Sequence, residues 1–257
     1  MGNSNKNQYT SLACLYDDLN SHVDYISYAN YIDRTIKKNE LSKSSLVLDL
    51  ACGTGKMTFL LRSLGYDMTG IDSSEDMLSQ ARMISEKKGI KDILWLCQEM
   101  QNFELYGTVD VCVCCLDSLN YLTSRTDLEK CFNLVHNYLI PNGLFIFDMN
   151  TKFKFENIYG NNDYVIETEN SLCAWQNRYN HKNRICDFYL SFFKKDKDGK
   201  YDRYDEFQQE KCYTEKQIRN LLLKCGFELI SEESDFNGNP IEKNSERMYI
   251  TARNIKE

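Results

Sequence analysis

The chain has 257 residues, 42% of them hydrophobic and 27% charged, which is typical of one globular domain or one domain with a sizeable insertion. Its 31 basic and 38 acidic residues give a net charge of −7, which disfavours a polyanionic partner such as a nucleic acid. No window reaches the ~18 apolar residues that a membrane span needs, so we expect no membrane partner.

The 11 cysteines favour a reducing compartment. Many of them lie inside apolar runs, as Cys112, Cys114, Cys115 and Cys225 do, where cysteine behaves as a small hydrophobe. No pair of CxxC motifs and no apolar N-terminal signal segment is present. We therefore expect a cytoplasmic protein without a structural metal; both a monomer and a homodimer are compatible with the sequence.

The N-terminal segment, residues 1–43, is predicted to form a helical lid, because apolar and tyrosine residues recur with helical spacing from Leu12 to Ile36. Tyr25, Tyr28 and Tyr31 stand three residues apart and share one helix face. Their rings either pack the helix onto the domain or offer phenol hydroxyls to a ligand. The sequence leaves both interpretations open.

The stretch that follows, LVLDLACGTG from Leu46 to Gly55, reads as a buried strand that runs into a turn of small residues. Its glycines let the backbone turn tightly and lie close to a ligand. A second short strand ends at Asp72, and an acid ~20 residues past such a turn is placed to accept hydrogen bonds from a ribose. A nucleoside-containing cofactor is therefore indicated.

Helical and strand patterns then alternate as far as residue 150, which predicts a Rossmann-like, doubly wound, mostly parallel α/β sheet of seven strands. The later elements of this pattern are a helix from Ser73 to Gly89, strands at Ile93–Cys97, Val109–Leu116 and Leu144–Phe147, helices at Leu128–Leu139 and Thr214–Cys225, and a closing pair of strands at Phe227–Ile230 and Arg247–Ala252. Residues 44–150 and 213–257 are assigned to this domain.

Residues 151–212 break the rhythm and predict an antiparallel β insertion after the fifth strand, which covers one end of the sheet. The insertion is rich in aromatic residues, which either line a closed pocket or form the insertion's own core. These residues are Trp175, Tyr179, Phe188, Phe192 and Phe193.

The glycine loop lacks the third glycine of a nicotinamide-binding loop, since Thr58 stands there. Asp49 to Gly55 (DLACGTG) instead resembles the first motif of class I S-adenosylmethionine-dependent methyltransferases. GIDSSEDML from Gly70, LCQEM from Leu96 and CCLDSLNYL from Cys114 resemble the second, third and fourth motifs, in matching order and spacing.

Within that class the chain is similar to a bacterial small-molecule-type subgroup, through Tyr16-Asp17, Val23-Asp24-Tyr25 and the stretch RYDEFQQEKCYT from Arg203. The chain departs from that subgroup at two positions, Gln208 and Lys211, where the pattern often has His and Arg. A base role assigned to that His does not carry over.

The resemblance implies S-adenosylmethionine as the cofactor. Asp49 would attract its ammonium group, Asp72 its ribose hydroxyls, and Glu99 with the Met100 amide its adenine edge. A helix-capping Asp49, a core-packed Met77 and a solvated Glu99 are the structural alternatives. The full set of implied cofactor residues is Tyr16, Tyr25, Tyr28, Asp49, Ala51, Cys52, Gly53, Asp72, Ser73, Met77, Glu99, Met100, Leu116 and Ser118.

The implied reaction is an in-line displacement of methyl from a sulfonium by a small-molecule acceptor, with an amine as one candidate, and catalysis consists mainly of positioning. The candidate catalytic residues, each of which could instead make a structural hydrogen bond, are Asp117, Tyr121, Tyr204 and Glu206. The alternatives left open are an RNA or protein methyltransferase, and a non-catalytic module that only binds the cofactor.

Overall fold

The computed structural model describes residues 23–41, 45–168, 171–196 and 198–256. In this part of the chain, no helix combines the length and the apolar character that crossing a membrane requires.

The described residues form five α-helices and eleven strands, with one short 3₁₀ turn at Ser118–Tyr121 and one π-helical turn at Lys154–Tyr159. The helices are α1 (Tyr25–Lys38), α2 (Lys56–Ser63), α3 (Glu75–Lys87), α4 (Arg125–Tyr138) and α5 (Glu215–Lys224). The strands are β1 (Leu46–Leu50), β2 (Asp67–Asp72), β3 (Leu94–Cys97), β4 (Val109–Cys114), β5 (Leu139–Asn150), β6 (Asp163–Glu167), β7 (Ser171–Asn180), β8 (Ile185–Lys195), β9 (Tyr201–Lys211), β10 (Phe227–Glu233) and β11 (Arg247–Asn254).

The main sheet has seven strands in the order β10-β11-β5-β4-β1-β2-β3, and only β11 runs antiparallel to its neighbours. Two separate clusters of buried residues pack against this sheet, one around Phe145 and Phe147 and the other around Val111 and Ile146. Since side chains alternate between the two faces of a strand, the apolar run in β5 feeds both clusters. The prediction of a Rossmann-like, mostly parallel seven-stranded sheet is confirmed.

A second sheet contains the four antiparallel strands β6-β7-β8-β9 and confirms the predicted antiparallel insertion after the fifth strand. Its buried face carries Phe188, Leu190 and Phe192 of β8, whereas Tyr189 between them is exposed. This two-residue period is that of a sheet with one covered face. The insertion therefore has a covered side on which a binding pocket can form.

Two of the boundaries that differ from the prediction have a clear physical reason. β4 ends at Cys114 rather than Leu116, because the amides of Leu116 and Asp117 donate to the Asp148 carboxylate and leave the strand ladder. β5 begins at Leu139 rather than Leu144, since the exposed residues Pro141 and Asn142 form an irregularity within the strand where the register against β4 shifts.

The predicted N-terminal helix is described only from Tyr25 onward, and its first half lies outside the described residues. Asp24 caps α1 by accepting a hydrogen bond from the Ser27 amide (2.9 Å). Tyr28 and Tyr31 are buried and pack against Phe236, so these two rings hold α1 to the domain.

Candidate active site

The turn after β1 is built from residues in the left-handed backbone region: Ala51 (φ 62°), Gly53 (φ 55°) and Gly55 (φ 81°). The Gly53 amide donates to the carboxylate of Asp72 at the end of β2 (2.8 Å), and the Cys52 amide donates to the Ile71 carbonyl (2.9 Å). A non-glycine residue in this backbone region is strained and clusters at functional sites. The two hydrogen bonds to β2 fix the loop to the carboxyl end of the sheet.

The two glycines of this loop are needed for different reasons. A Cβ at Gly55 would lie 2.5 Å from the indole of Trp95, which packs over the loop and contacts Phe59 edge-on. A Cβ at Gly53 would meet nothing within 4 Å. Gly55 therefore permits close packing, whereas Gly53 leaves open space above the backbone.

That open space belongs to a small cavity of about 40 Å³ at the carboxyl ends of β1 and β4. The small cavity is lined by Tyr25, Asp49, Ala51, Cys52, Gly53, Thr54, Lys56, Met57, Cys115, Leu116 and Ser118. Many residues that the sequence assigned to cofactor binding are thus brought together here. Lys56 was missed; it stands at the start of α2, and its ammonium lies 4.7 Å from the centre of the Tyr25 ring.

The carboxyl of Asp49 is the buried charged group of the small cavity. It accepts a hydrogen bond from the Thr58 hydroxyl (2.5 Å) and is 1% exposed. Burial raises the pKa of Asp49 to about 7, against the opposing effect of the Thr58 hydrogen bond and with a further contribution from the Asp72 charge. A cationic ligand group beside Asp49 would restore its ionised form.

The other predicted cofactor residues lie along the end of β2 and beyond it. Asp72 is half-buried and accepts from the Gly53 and Ser74 amides, Ser73 is exposed, and Met77 is half-buried on α3. Glu99 is exposed and accepts from the side chains of Gln101 and Asn102, and Met100 packs against the core. Tyr28 does not line the small cavity, and Tyr16 lies outside the described residues.

A second strained turn follows β4, where Leu116 (φ 56°) and Asp117 (φ 52°) both adopt the left-handed region. Asp148 of β5 holds this turn: its carboxylate accepts from the Leu116 amide (2.6 Å), the Asp117 amide (3.0 Å) and the Tyr28 hydroxyl (2.6 Å). Arg247 of β11 donates to Asp148 and also pairs with the Asp117 carboxylate (2.6 Å). Because Asp148 is fully buried, this network fixes the turn rigidly.

A large cavity of about 440 Å³ lies on the other side of that turn, between the main sheet and the insertion. Leu116 lines both cavities, so the two cavities adjoin at this residue. The residues that line the large cavity are Val23, Leu116, Asp117, Tyr121, Lys154, Ile158, Tyr159, Tyr164, Val165, Ile166, Cys173, Trp175, Phe188, Leu190, Phe192, Glu206, Gln208, Glu210, Glu246 and Arg247.

Asp117 and Glu210 form a hydrogen-bonded carboxyl pair in the large cavity. Burial, and then the charge of Asp117, raise the pKa of Glu210 well above its ordinary value. Burial also acts on Asp117, but the charges of Arg247 and Lys154 outweigh it and hold the pKa of Asp117 below its ordinary value. The shared proton therefore resides on Glu210, which leaves Asp117 ionised beside Arg247.

Glu206 lies at the start of a chain of polar side chains in the same cavity. Its Oε1 accepts a hydrogen bond from the side-chain Nε2 of Gln208, and Gln208 Oε1 accepts one from the Tyr121 hydroxyl (2.8 Å). Glu206 Oε2 is buried and has no hydrogen-bond partner among the described residues. Burial raises the pKa of Glu206, against the opposing hydrogen bond from Gln208. Tyr204 does not line the large cavity and packs beside Cys173, Leu190 and Phe192.

Sequence reasoning missed Lys154, Glu210 and Arg247. Glu210 could have been predicted from the sequence, because it stands two residues after Gln208 and four after Glu206. All three therefore lie on one face of β9. Arg247 and Lys154 carry no such local signal, since long-range pairing of β11 with β5 and the turn after β5 bring them to the cavity.

Comparison with known proteins identifies the chain. A model of the methyltransferase domain family matches residues 47–143. YqeM of Bacillus subtilis (strain 168), which is named a methyltransferase, is 31% identical over 249 residues, with 96% of this chain and 98% of that protein covered. A solved S-adenosylmethionine-dependent methyltransferase from Clostridium acetobutylicum ATCC 824 is 31% identical, with 96% of this chain and 99% of that chain covered and a TM-score of 0.88. The chain belongs to the class I S-adenosylmethionine-dependent methyltransferases.

A further relative of this methyltransferase is the glycine/sarcosine N-methyltransferase of Halorhodospira halochloris, 26% identical over 232 residues, with 86% of this chain and 79% of that protein covered. The family membership, the enzyme class and the cofactor predicted from the motifs are confirmed. The cytoplasmic location and the oligomeric state stay predictions.

The residues of the small cavity fit S-adenosylmethionine. The open space over Gly53 admits a ligand against the backbone, and the buried Asp49 carboxyl suits an ammonium group. Asp72 presents a half-buried carboxylate at the next strand end, where a ribose would be held in a fold of this kind.

Proposed function

We propose that this methyltransferase transfers the methyl group to the amino nitrogen of a small-molecule acceptor bound in the large cavity. The observation that carries the proposal is the junction of the two cavities at Leu116, with the unpartnered Glu206 Oε2 in the acceptor side. An aliphatic amine reaches the site as an ammonium ion, and a buried carboxylate oxygen without a hydrogen-bond partner among the described residues is the group that attracts it.

The walls of the large cavity support a cationic acceptor. Trp175, Tyr159 and Phe188 present aromatic rings there, with Tyr159 and Phe188 in edge contact (5.0 Å between ring centres). Aromatic faces stabilise a desolvated cation. The name of the glycine/sarcosine N-methyltransferase points to the same class of acceptor atom.

When bound, the cofactor supplies an electrophilic methyl group on a sulfonium whose leaving group is neutral. The protein then needs little acid catalysis, but the ammonium must lose a proton before its nitrogen lone pair can attack. Glu206 is placed to take that proton, and its raised pKa makes it a stronger base than an exposed glutamate. Tyr121 and Gln208 orient Glu206, and the Leu116–Asp117 turn sets the position of the acceptor relative to the small cavity.

In the same proposal, Asp49 holds the cofactor ammonium, Asp72 its ribose, and Ala51, Gly53 and Ser118 the wall around it. The described part of the predicted lid segment 1–43, residues 23–41, covers the cofactor, and the insertion 151–212 covers the acceptor. What supports the second assignment is that Trp175, Phe188 and Glu206, from three strands of the insertion, line the large cavity.

The cofactor assignment is tested by calorimetric titration with S-adenosylmethionine, S-adenosylhomocysteine and NADH. We expect the two sulfur compounds to bind, NADH not to bind, and Asp72→Ala to weaken binding by about tenfold to a hundredfold through loss of charge-assisted hydrogen bonds. Asp67→Ala is the matched control, because Asp67 is exposed at the opposite end of β2. Equal weakening by both substitutions would contradict the role of Asp72.

The acceptor class is tested by measuring S-adenosylhomocysteine release with a panel of small amines, alcohols and thiols. We expect turnover with amines, and we expect Glu206→Gln to lower it by about 10²–10⁴-fold without changing S-adenosylhomocysteine affinity. Glu228→Gln on the exposed side of β10 is the control. Turnover confined to alcohols or thiols would refute the nitrogen acceptor, and cofactor binding with no turnover on any acceptor would favour a non-catalytic module.

A further inference from the structure

Two hydrogen-bond donors in the large cavity have no acceptor among the residues that the structure describes. The first is Lys154, at the start of the π-helical turn after β5. Its ammonium lies 5.2 Å from the centre of the Tyr159 ring, and no carboxylate of the described residues comes within ion-pair distance of it. An ammonium in a half-buried position without an anion beside it would gain a partner from an anionic ligand, which would also favour its charged form.

The second donor is the indole N–H of Trp175 on β7. Trp175 Nε1 is buried and has no hydrogen-bond partner within the described part of the chain. The ring centre of Trp175 lies 5.9 Å from that of Tyr159, the same ring that Lys154 contacts. Because an indole can only donate, both groups demand acceptor atoms from whatever fills this part of the cavity.

The carboxyls nearby do not satisfy Lys154. Asp117 is paired with Arg247 at 2.6 Å, and Glu210 keeps its proton because burial and the Asp117 charge raise its pKa. Glu246, which also lines the cavity, is exposed to solvent. Burial, followed by the charge of Arg247, lowers the pKa of Lys154, against the opposing effect of Asp117, Glu210 and Glu246, none of which lies within ion-pair distance of its ammonium.

We propose that Lys154 and Trp175 form a subsite for the oxygen atoms of an anionic group, a carboxylate or a phosphate, on the methyl acceptor. The inference rests on the proposed function in one respect, that the acceptor occupies the large cavity. The acceptor is then a molecule with two charges of opposite sign: its ammonium faces Glu206 and its oxyanion faces Lys154 and Trp175. A lysine suits both oxyanions, since it acts as a point charge.

The test uses the two tryptophans of the chain as reporters. Protein labelled with 5-fluorotryptophan gives one ¹⁹F resonance for Trp95 beside the glycine loop and one for Trp175 in the large cavity, and Trp175→Phe assigns them. Sodium acetate and sodium phosphate are titrated at constant ionic strength. We expect one of the two anions to shift the Trp175 resonance saturably and to leave the Trp95 resonance in place, which also tells carboxylate from phosphate.

Lys154→Met should weaken that binding by about tenfold or more, because a charge-assisted contact is lost. Lys152→Met is the matched control: Lys152 is two residues away, 55% exposed and already close to Glu156 (3.5 Å). Circular dichroism checks that both variants are folded. Absence of a saturable shift with either anion, or equal loss in the two variants, would overturn the subsite.

A second measurement separates failure of the subsite from failure of the proposed function. S-adenosylhomocysteine release is measured with propylamine, β-alanine and phosphoethanolamine, three amines that differ in their anionic group. We expect one of the two zwitterions to be preferred, with KM raised about tenfold by Lys154→Met and kcat unchanged. Equal methylation of propylamine, unaffected by Lys154→Met, would remove the subsite and keep the amine acceptor. Anion binding without turnover on any amine would keep the subsite and remove the amine acceptor.

Discussion

Asp148 offers the sharpest test of how the two cavities are joined. Its carboxylate, with no exposed surface, accepts hydrogen bonds from the Leu116 and Asp117 amides, from the Tyr28 hydroxyl and from Arg247. Asp148→Asn replaces one acceptor oxygen by an amide nitrogen that faces these donors. At least two charge-assisted hydrogen bonds are lost, each contributing about 1.5–3 kcal/mol. Removal of one member of a buried ion pair has a similar effect, so we expect a loss of about 3–5 kcal/mol.

The loss is measured as the free energy of unfolding from urea denaturation. Asp163→Asn is the matched control, since Asp163 also pairs with an arginine, Arg178, but the two side chains are 53% and 49% exposed. The control should cost less than about 1 kcal/mol. We also expect Asp148→Asn to weaken S-adenosylhomocysteine binding about tenfold, because the strained Leu116–Asp117 turn loses its support. If the loss in the free energy of unfolding for Asp148→Asn lay within about 1 kcal/mol of the loss for Asp163→Asn, the reasoning would be refuted.

Two further predictions concern the glycine loop. Because burial raises the pKa of Asp49 to about 7, the ionised form of its carboxyl is scarce at pH 6, and binding of an ammonium should favour that form. The affinity for S-adenosylhomocysteine should therefore rise about tenfold from pH 6 to 8, and Asp49→Asn should abolish this pH dependence. A flat pH profile in the parent protein would contradict the prediction. The same shift stabilises the apoprotein below the ordinary pKa of a carboxyl, and this contribution is lost as the pH rises through about 7. Gly55→Ala should destabilise the protein by about 2–4 kcal/mol, since its Cβ would overlap Trp95. Gly53→Ala, with open space at its Cβ, should reduce the free energy of unfolding by only about 1 kcal/mol, yet it should weaken S-adenosylhomocysteine binding. Thermal unfolding and calorimetry check both variants. A Gly53→Ala protein less stable than the Gly55→Ala protein would contradict the packing argument.

The sequence predicted best those features that depend on a few consecutive residues. The buried strand at Leu46–Leu50, the second strand ending at Asp72 and the turn between them were located correctly, because a strand covered on both faces reads as an apolar run and a left-handed turn favours glycine. The Met100 side chain packs against the core, and the role that the resemblance gives to its amide stays a prediction.

The predicted end of β4 is wrong because a side chain from elsewhere in the chain competes for its backbone groups. The apolar pattern of β4 continues to Leu116, but the Asp148 carboxylate takes the amides that would have extended the strand. No pattern within residues 109–116 contains that information, since the competing carboxylate stands 32 residues further along the chain.

The sequence by itself determined the sheet, the glycine loop and the cofactor class, because each follows from local periodicity and a short run of motif residues. Only the tertiary structure decided which residues line the large cavity. Arg247 reaches Asp117 and Asp148 through antiparallel pairing of β11 with β5, in which Arg247 stands opposite Asn150. Lys154 and Trp175 meet at one tyrosine ring through the packing of the insertion on the turn after β5. Contacts of this kind depend on strand register and on which faces are covered, and neither is encoded in any single stretch of the chain.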